Sequence, residues 1–299
     1  MKYNIDMKKL IVDKKYNNKK LNNFLQDSIP NLSTNLLYKT LRKKDIKVNG
    51  KRINENVTLF ENDEVLVYIP DSLLDTPLNI FFEDENILII DKFAGIEVTG
   101  TNSLTSLVHK QYSECGFLPM PCHRLDRNTT GLIIFAKNQE SLDILLKKFK
   151  NHEIEKHYLS LVYGNPKEKH QTLTAYLFKD SKKSLVYISD APKKGYSKII
   201  TSYTVLKTNH NKTSLLDVEI ETGKTHQIRA HLAHIGLPIV GDGKYGDYEI
   251  NKKFGKKIQL LKSYKIKFKF STDSGILEYL NNKEFSTGTN FDFWWKVYI

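Results

Sequence analysis

The spacing of apolar residues changes several times along the chain, and each change marks an element. Leu21, Phe24 and Leu25 recur at helical spacing. A second helical stretch has Ser33 as its N-cap candidate and Leu36, Leu37 and Leu41 as its apolar side. The period then drops to two. Ile46-Lys47-Val48-Asn49-Gly50-Lys51-Arg52-Ile53 alternates around Asn-Gly, the signature of a hairpin closed by a type I′ turn. Residues 64–69 predict a further strand. Residues 70–77 hold two prolines among turn formers and read as a linker. The chain thus divides into a small module, 1–72, and a larger body, 73–299.

In the body, Ile87-Leu88-Ile89-Ile90 and Leu132-Ile133-Ile134-Phe135-Ala136 are continuous apolar runs of buried-strand length. Asn138 is placed to cap a helix with Leu142, Leu145, Leu146 and Phe149 on one side. Residues 156–164 alternate, with Tyr158, Ser160 and Val162 on one face and Leu159, Leu161 and Tyr163 on the other. Thr225 is the candidate cap of a helix running to Ile235. Ile228, Leu232 and Ile235 form its buried stripe, and Gly236 and Pro238 end it. Residues from Gln259 to Phe270, and on to Trp294-Trp295, read as closing strands.

Composition narrows the class. Of 299 residues 40% are hydrophobic and 27% charged, enough apolar side chains for a core, so a disordered chain is excluded. No apolar run approaches the roughly 18 residues of a membrane span. The charged first twenty residues contain no apolar leader, so no secretory signal is expected. Two cysteines, Cys115 and Cys122, exclude a disulfide scaffold and lead to the expectation of a reduced, cytoplasmic setting. The net charge of +12 favours a polyanionic partner, nucleic acid first. Arg42, Lys43, Lys44, Lys47, Lys51 and Arg52 fall on a helix end and the adjoining hairpin, so one connected basic surface is expected to hold phosphates there.

Three segments of the body carry candidate chemistry. Asp126 lies in a polar loop, Pro121 to Gly131, that feeds a buried strand, a rigid mount for a carboxylate. Tyr158 lies in a strand. Arg229 stands near a helix start, where the macrodipole disfavours a cation, so a specific anionic partner is expected. Residues 238–246 are glycine-rich but lack the spacing of a P-loop. Cys115, Cys122, His123, His226, His231 and His234 fit no zinc spacing, and no metal is expected.

Taken together, these segments resemble the RluA family of RNA pseudouridine synthases. The resemblance lies in His123-Arg124-Leu125-Asp126-Arg127-Asn128-Thr129-Thr130-Gly131-Leu132, in Lys156-His157-Tyr158-Leu159-Ser160-Leu161-Val162-Tyr163-Gly164, and in Gly223-Lys224-Thr225-His226-Gln227-Ile228-Arg229-Ala230-His231-Leu232. Residues 8–70, above all Leu41 to Ile53, resemble the αL-type RNA-binding motif. Asn128 and Thr130 stand where many members carry Asp and Ser, and the stretch from Gly95 to His123 is short. The resemblance implies an α+β fold, with the αL-type module followed by a catalytic domain built on a mostly antiparallel mixed sheet flanked by helices. It implies an isomerase that turns uridine into pseudouridine in structured RNA without a cofactor. Ribosomal RNA of the large subunit comes first as substrate and transfer RNA second. It also implies Asp126 as nucleophile, Tyr158 and Arg229 beside it, and Arg124 entering the space left by a flipped base. A monomer is the default expectation. A non-catalytic RNA-binding factor and a two-carboxylate hydrolase are the rival readings.

Overall fold

The computed structural model describes residues 7–29, 32, 34–69 and 78–288. The expected linker and the 72/73 boundary, Ser33 and Trp294-Trp295 lie outside these residues. The chain forms two units: Met1–Leu78 with Thr99–Ser113, and Asn79–Val98 with Glu114–Ile299. Among the described residues no helix is long and apolar enough to cross a membrane.

The first unit runs β1 (Met7–Ile11), β2 (Lys19–Lys20), α1 (Leu21–Ser28), α2 (Thr34–Arg42), β3 (Ile46–Val48), β4 (Lys51–Ile53), β5 (Thr58–Leu59) and β6 (Glu64–Tyr68). Its main sheet has the order β1-β6-β3-β4, antiparallel throughout. The helices bury Leu21, Phe24, Leu25, Leu37 and Leu41 against Ile46, Val65 and Val67. Asn49 and Gly50 both have positive φ, +48° and +79°, as the type I′ turn requires. Asn49 also fixes the turn through its amide, which donates to Asp63 and accepts from the Glu64 N–H. The segment of this unit from beyond residue 98 carries α3 (Leu104–Gln111), capped by Ser103 and Ser106. The sequence reading passed over this helix, although Leu104, Leu107 and Val108 are buried at i, i+3 and i+4.

The second unit is built on one large sheet. Its strands are β7 (Ile80–Glu83), β8 (Ile87–Lys92), β9 (Met120–Pro121), β10 (Thr130–Ala136), β11 (Ile154–Tyr163), β12 (His170–Asp180), β13 (Leu185–Ser189), β14 (Ser197–Thr208), β15 (Thr213–Ile220), β16 (Leu261–Phe268) and β17 (Glu284–Ser286). The order is β13-β12-β14-β15-β11-β16-β10-β8-β7, with β9 on β10 and β17 on β16. Every pairing is antiparallel except β10 with β16. The fold is therefore α+β with a mostly antiparallel mixed sheet, as expected.

Two helices cover this sheet near the site. Helix α4 (Gln139–Lys150) is capped by the Asn138 side chain, which accepts from the Ser141 N–H. Leu145 is buried against Leu132 and Ile134, and Leu142 and Phe149 pack beside them. Leu146, expected in the same stripe, is instead 47% exposed, because it lies at the solvent edge of the face that meets the sheet. Helix α5 (Gln227–His234) sets Ala230 against Ala175, Leu177, Val186 and Ile199. A sixth helix, α6 (Tyr248–Lys253), follows.

The expected start of α5 needs correction. Its N-cap is His226, in the left-handed conformation and with no side-chain cap bond, and Thr225 lies outside the helix. Gln227, the first residue of the helix, instead ties the preceding turn to β14. Its Oε1 accepts from the Lys224 N–H and the Thr222 hydroxyl, and its Nε2 donates to Ile200 O and Thr201 Oγ1. Ile228 and Leu232 are buried as expected, whereas Ile235 is half-buried.

Candidate active site

Asp126 stands on the loop between β9 and β10, and its neighbours tie that loop down. The main-chain carbonyl of Arg127 accepts from the Gly95 N–H at 2.9 Å, and the Arg127 Nε–H donates back to Gly95 O at 3.1 Å. Lys92, fully buried, donates from Nζ to the carbonyls of Phe93, Ile96 and Arg127 at 2.9–3.0 Å. Burial lowers its pKa to about 8, against a smaller opposing pull from Asp126. The Asp126 carbonyl closes a turn by accepting from the Thr129 N–H, and Gln259 bonds the Thr129 hydroxyl. Of the two departures from the family pattern, Thr130 makes only a long bond, 3.4 Å, to Leu261 O.

Beyond the loop β10 begins at once, and Gly131 is required there. A Cβ at this position would fall 2.1 Å from Ser263 O on β16, and φ is +108°. The close approach of the two strands sets where the Asp126 loop emerges.

Arg229, on the first turn of α5, reaches two carboxylates. Its Nη1 donates to Asp126 Oδ2 at 2.9 Å. Its Nε and Nη2 grip Asp242 in a fork at 2.7 and 2.9 Å. Asp242 is 1% exposed and also accepts from the N–H groups of Lys244 and Tyr245. Burial raises its pKa, but the hydrogen bonds and charge of Arg229 outweigh this and hold it below the ordinary carboxylate range. The guanidinium lies 5.3 Å from the centre of the Tyr245 ring, whose hydroxyl meets His226 Nδ1 at 2.8 Å. The anionic partner expected for Arg229 is thus a pair. Sequence reasoning missed Asp242, because Gly241-Asp242-Gly243 reads as a turn.

Tyr158 is buried on β11, 5% exposed, with Ser263 opposite it on β16. Burial, and then the charge of Asp126, raise its phenol pKa, so the resting ring carries its proton. Asp126, Tyr158 and Arg229 line one cleft of about 220 Å³, together with His123, Arg124, Lys156 and residues 223–228. Arg124 is exposed at this cleft. His123 packs on Phe149 with ring centres 4.8 Å apart, and its Nε2 accepts from the Ile134 N–H. Burial, aided by Lys156, lowers the His123 pKa to about 3, so its ring is neutral.

A carboxylate hydrogen-bonded by a guanidinium and an aromatic ring in the same cleft suit nucleophilic chemistry on a flat base. Comparison with known proteins decides the family. Residues 86–234 match the model described as RNA pseudouridylate synthase. The ribosomal large subunit pseudouridine synthase C of Buchnera aphidicola subsp. Schizaphis graminum is 32% identical over 268 residues, 82% of this chain and 83% of that protein. It belongs to the RNA pseudouridine synthases. An uncharacterized RNA pseudouridine synthase of Mycoplasma capricolum is 33% identical over 300 residues, 93% of this chain and 96% of that one. Human RNA pseudouridylate synthase domain containing 1 shares the fold with a TM-score of 0.59 at 22% identity, covering 72% of this chain and 84% of that one. This synthase is accordingly an isomerase acting on RNA.

In the synthase's first unit, Arg42, Lys43, Lys44, Lys51 and Arg52 are exposed and Lys47 is half-buried. Lys47 and Arg52 pair across the hairpin, and both lie within 6 Å of the Tyr68 ring centre, at 5.6 and 5.9 Å. Arg52 also donates to Lys44 O at 2.7 Å. Three of the six basic residues therefore adjoin directly. Among the described residues one group has metal-ligand character, Glu155, His157 and Glu219. It includes none of the cysteines and histidines considered from the sequence, and Lys269 already pairs with Glu155 at 2.5 Å.

Proposed function

We propose that the chain converts specific uridines of large-subunit ribosomal RNA to pseudouridine, with Asp126 as the nucleophile. The observation that carries the assignment of Asp126 is its bond to Arg229 in a cleft shared with Tyr158. The reaction breaks the bond from ribose C1′ to N1 of uracil and forms one from C1′ to C5. C5 loses a proton and N1 gains one, so the reaction is redox-neutral. Arg229 aims one oxygen of Asp126 through its Nη1 bond. Tyr158 gives the detached base a ring to lie against. Its phenol, protonated at rest, is a hydrogen-bond donor there; Tyr158→Phe separates the hydroxyl from the ring. Arg124 fills the space the base leaves in the RNA, offsetting part of the few kcal/mol of flipping.

A two-carboxylate hydrolase is disfavoured. Asp242, the second carboxylate at the site, is buried behind Arg229 and does not line the cleft. Large-subunit ribosomal RNA is favoured over transfer RNA by the names of several relatives and by the basic module.

The test is carbodiimide mapping of pseudouridine across total RNA in a deletion strain, complemented with wild type or Asp126→Asn. Sites in large-subunit RNA should vanish on deletion and return only with wild type. Their return with Asp126→Asn would remove Asp126 from the chemistry. Loss confined to transfer RNA would move the substrate there.

A further inference from the structure

We infer that Lys156 seats one backbone phosphate of the RNA beside the uridine held in the cleft. Lys156 lies on β11 two residues before Tyr158, hence on the same face, and lines the same cleft. Its Nζ sits 5.2 Å from the centre of the Phe149 ring and 3.6 Å from the point where a Cβ on residue 223 would stand.

What sets Lys156 apart is the lack of an acceptor. Among the described residues the buried cations of this unit are all provided for: Lys92 by three carbonyls, Lys148 by Glu153 and Thr272, Arg229 by two aspartates. Among the described residues Lys156 makes neither an ion pair nor a hydrogen bond, although burial lowers its pKa to about 8. Lys156 is half-buried and faces the cleft, so its partly desolvated ammonium is open to an anionic group of the working complex. Among the described residues the one carboxylate that lines the cleft is Asp126. Asp126 is engaged by Arg229, and His123 in the same cleft is neutral. A uracil carbonyl is uncharged and offsets little of a desolvated charge, whereas one phosphodiester carries the single negative charge that balances it. RNA brings such a group on either side of every uridine. Arg229 orients Asp126 in this cleft; Lys156 positions the strand beside it.

The inference rests on the reading of this cleft as a uridine site, and its test needs no turnover. Binding of a 12-nucleotide oligouridylate is measured across a salt series for wild type, Lys156→Met, Lys156→Gln and Lys156→Arg. Methionine keeps the stem on Phe149, and glutamine serves if methionine perturbs the fold. Loss of one phosphate contact should lower the slope of log K against log salt by about 0.7, with affinity about tenfold weaker at low salt. Arginine should restore the slope. An unchanged slope in both neutral variants overturns the phosphate seat, and so does weaker binding without a change in slope, which would mark an uncharged contact. Should the slope fall while mapping finds no altered uridine, the phosphate seat stands and the substrate assignment fails separately.

Discussion

Arg229 serves two masters, and the geometry shows which is structural. The fork on Asp242 fixes the plane of the guanidinium and leaves Nη1 for Asp126. Asp242→Asn replaces one acceptor by a donor facing a buried cation. Loss of one partner of such a pair costs about 3–5 kcal/mol. Thermal melts should therefore drop, and turnover should fall at least tenfold because the aim at Asp126 is lost. The pH dependence has a definite sign. The pKa of Asp242 is lower in the folded than in the unfolded chain, so its contribution is present above the ordinary carboxylate range. That contribution is lost as pH falls through the folded value. Asp242→Asn should therefore flatten the acid side of a stability-against-pH curve; an unaltered acid limb would count against the pair. Arg229's need for an anion was legible, since a cation at a helix start calls for one. The identity of Asp242 was not, because a turn between two glycines explains an aspartate without a partner.

At the level of elements, local chemistry predicted well where one residue decides the geometry. Asn49-Gly50 gave the hairpin because both need positive φ, and Asn138 gave the start of α4 because its side chain bonds the Ser141 N–H. It failed where a distant strand decides. Gln227 displaces Thr225 at the start of α5 by bonding to Ile200 and Thr201 on β14, which no local pattern reveals. The junction of β10 with β16 is of the same kind. Its requirement for Gly131 comes from Ser263, far along the chain. Gly131→Ala meets both a main-chain oxygen and an unfavourable φ, so a loss of more than about 3 kcal/mol is expected, read as a lower melting temperature. Near wild-type stability would mean the strands can part without cost.

For the whole molecule, charge and architecture play separate parts. The basic residues of the first unit are proposed to grip phosphate, and Arg42→Glu with Lys43→Glu tests this. Binding to structured RNA should weaken, and the slope of log K against log salt should become shallower; unchanged binding would assign the grip elsewhere. The second unit's parallel pair has a different consequence, one of timing. Neighbouring parallel strands cannot be joined by a tight turn. Here β10 ends at Ala136 and β16 begins at Leu261, so most of the catalytic unit is made between them. Asp126, Tyr158 and Arg229 all leave the ribosome before β16, the strand that sits between β10 and β11 in the sheet. Pairing across so long a separation is slow. The nascent chain therefore carries Asp126, Tyr158 and Arg229 well before the cleft is whole, because Leu261, which helps to line it, arrives only with β16.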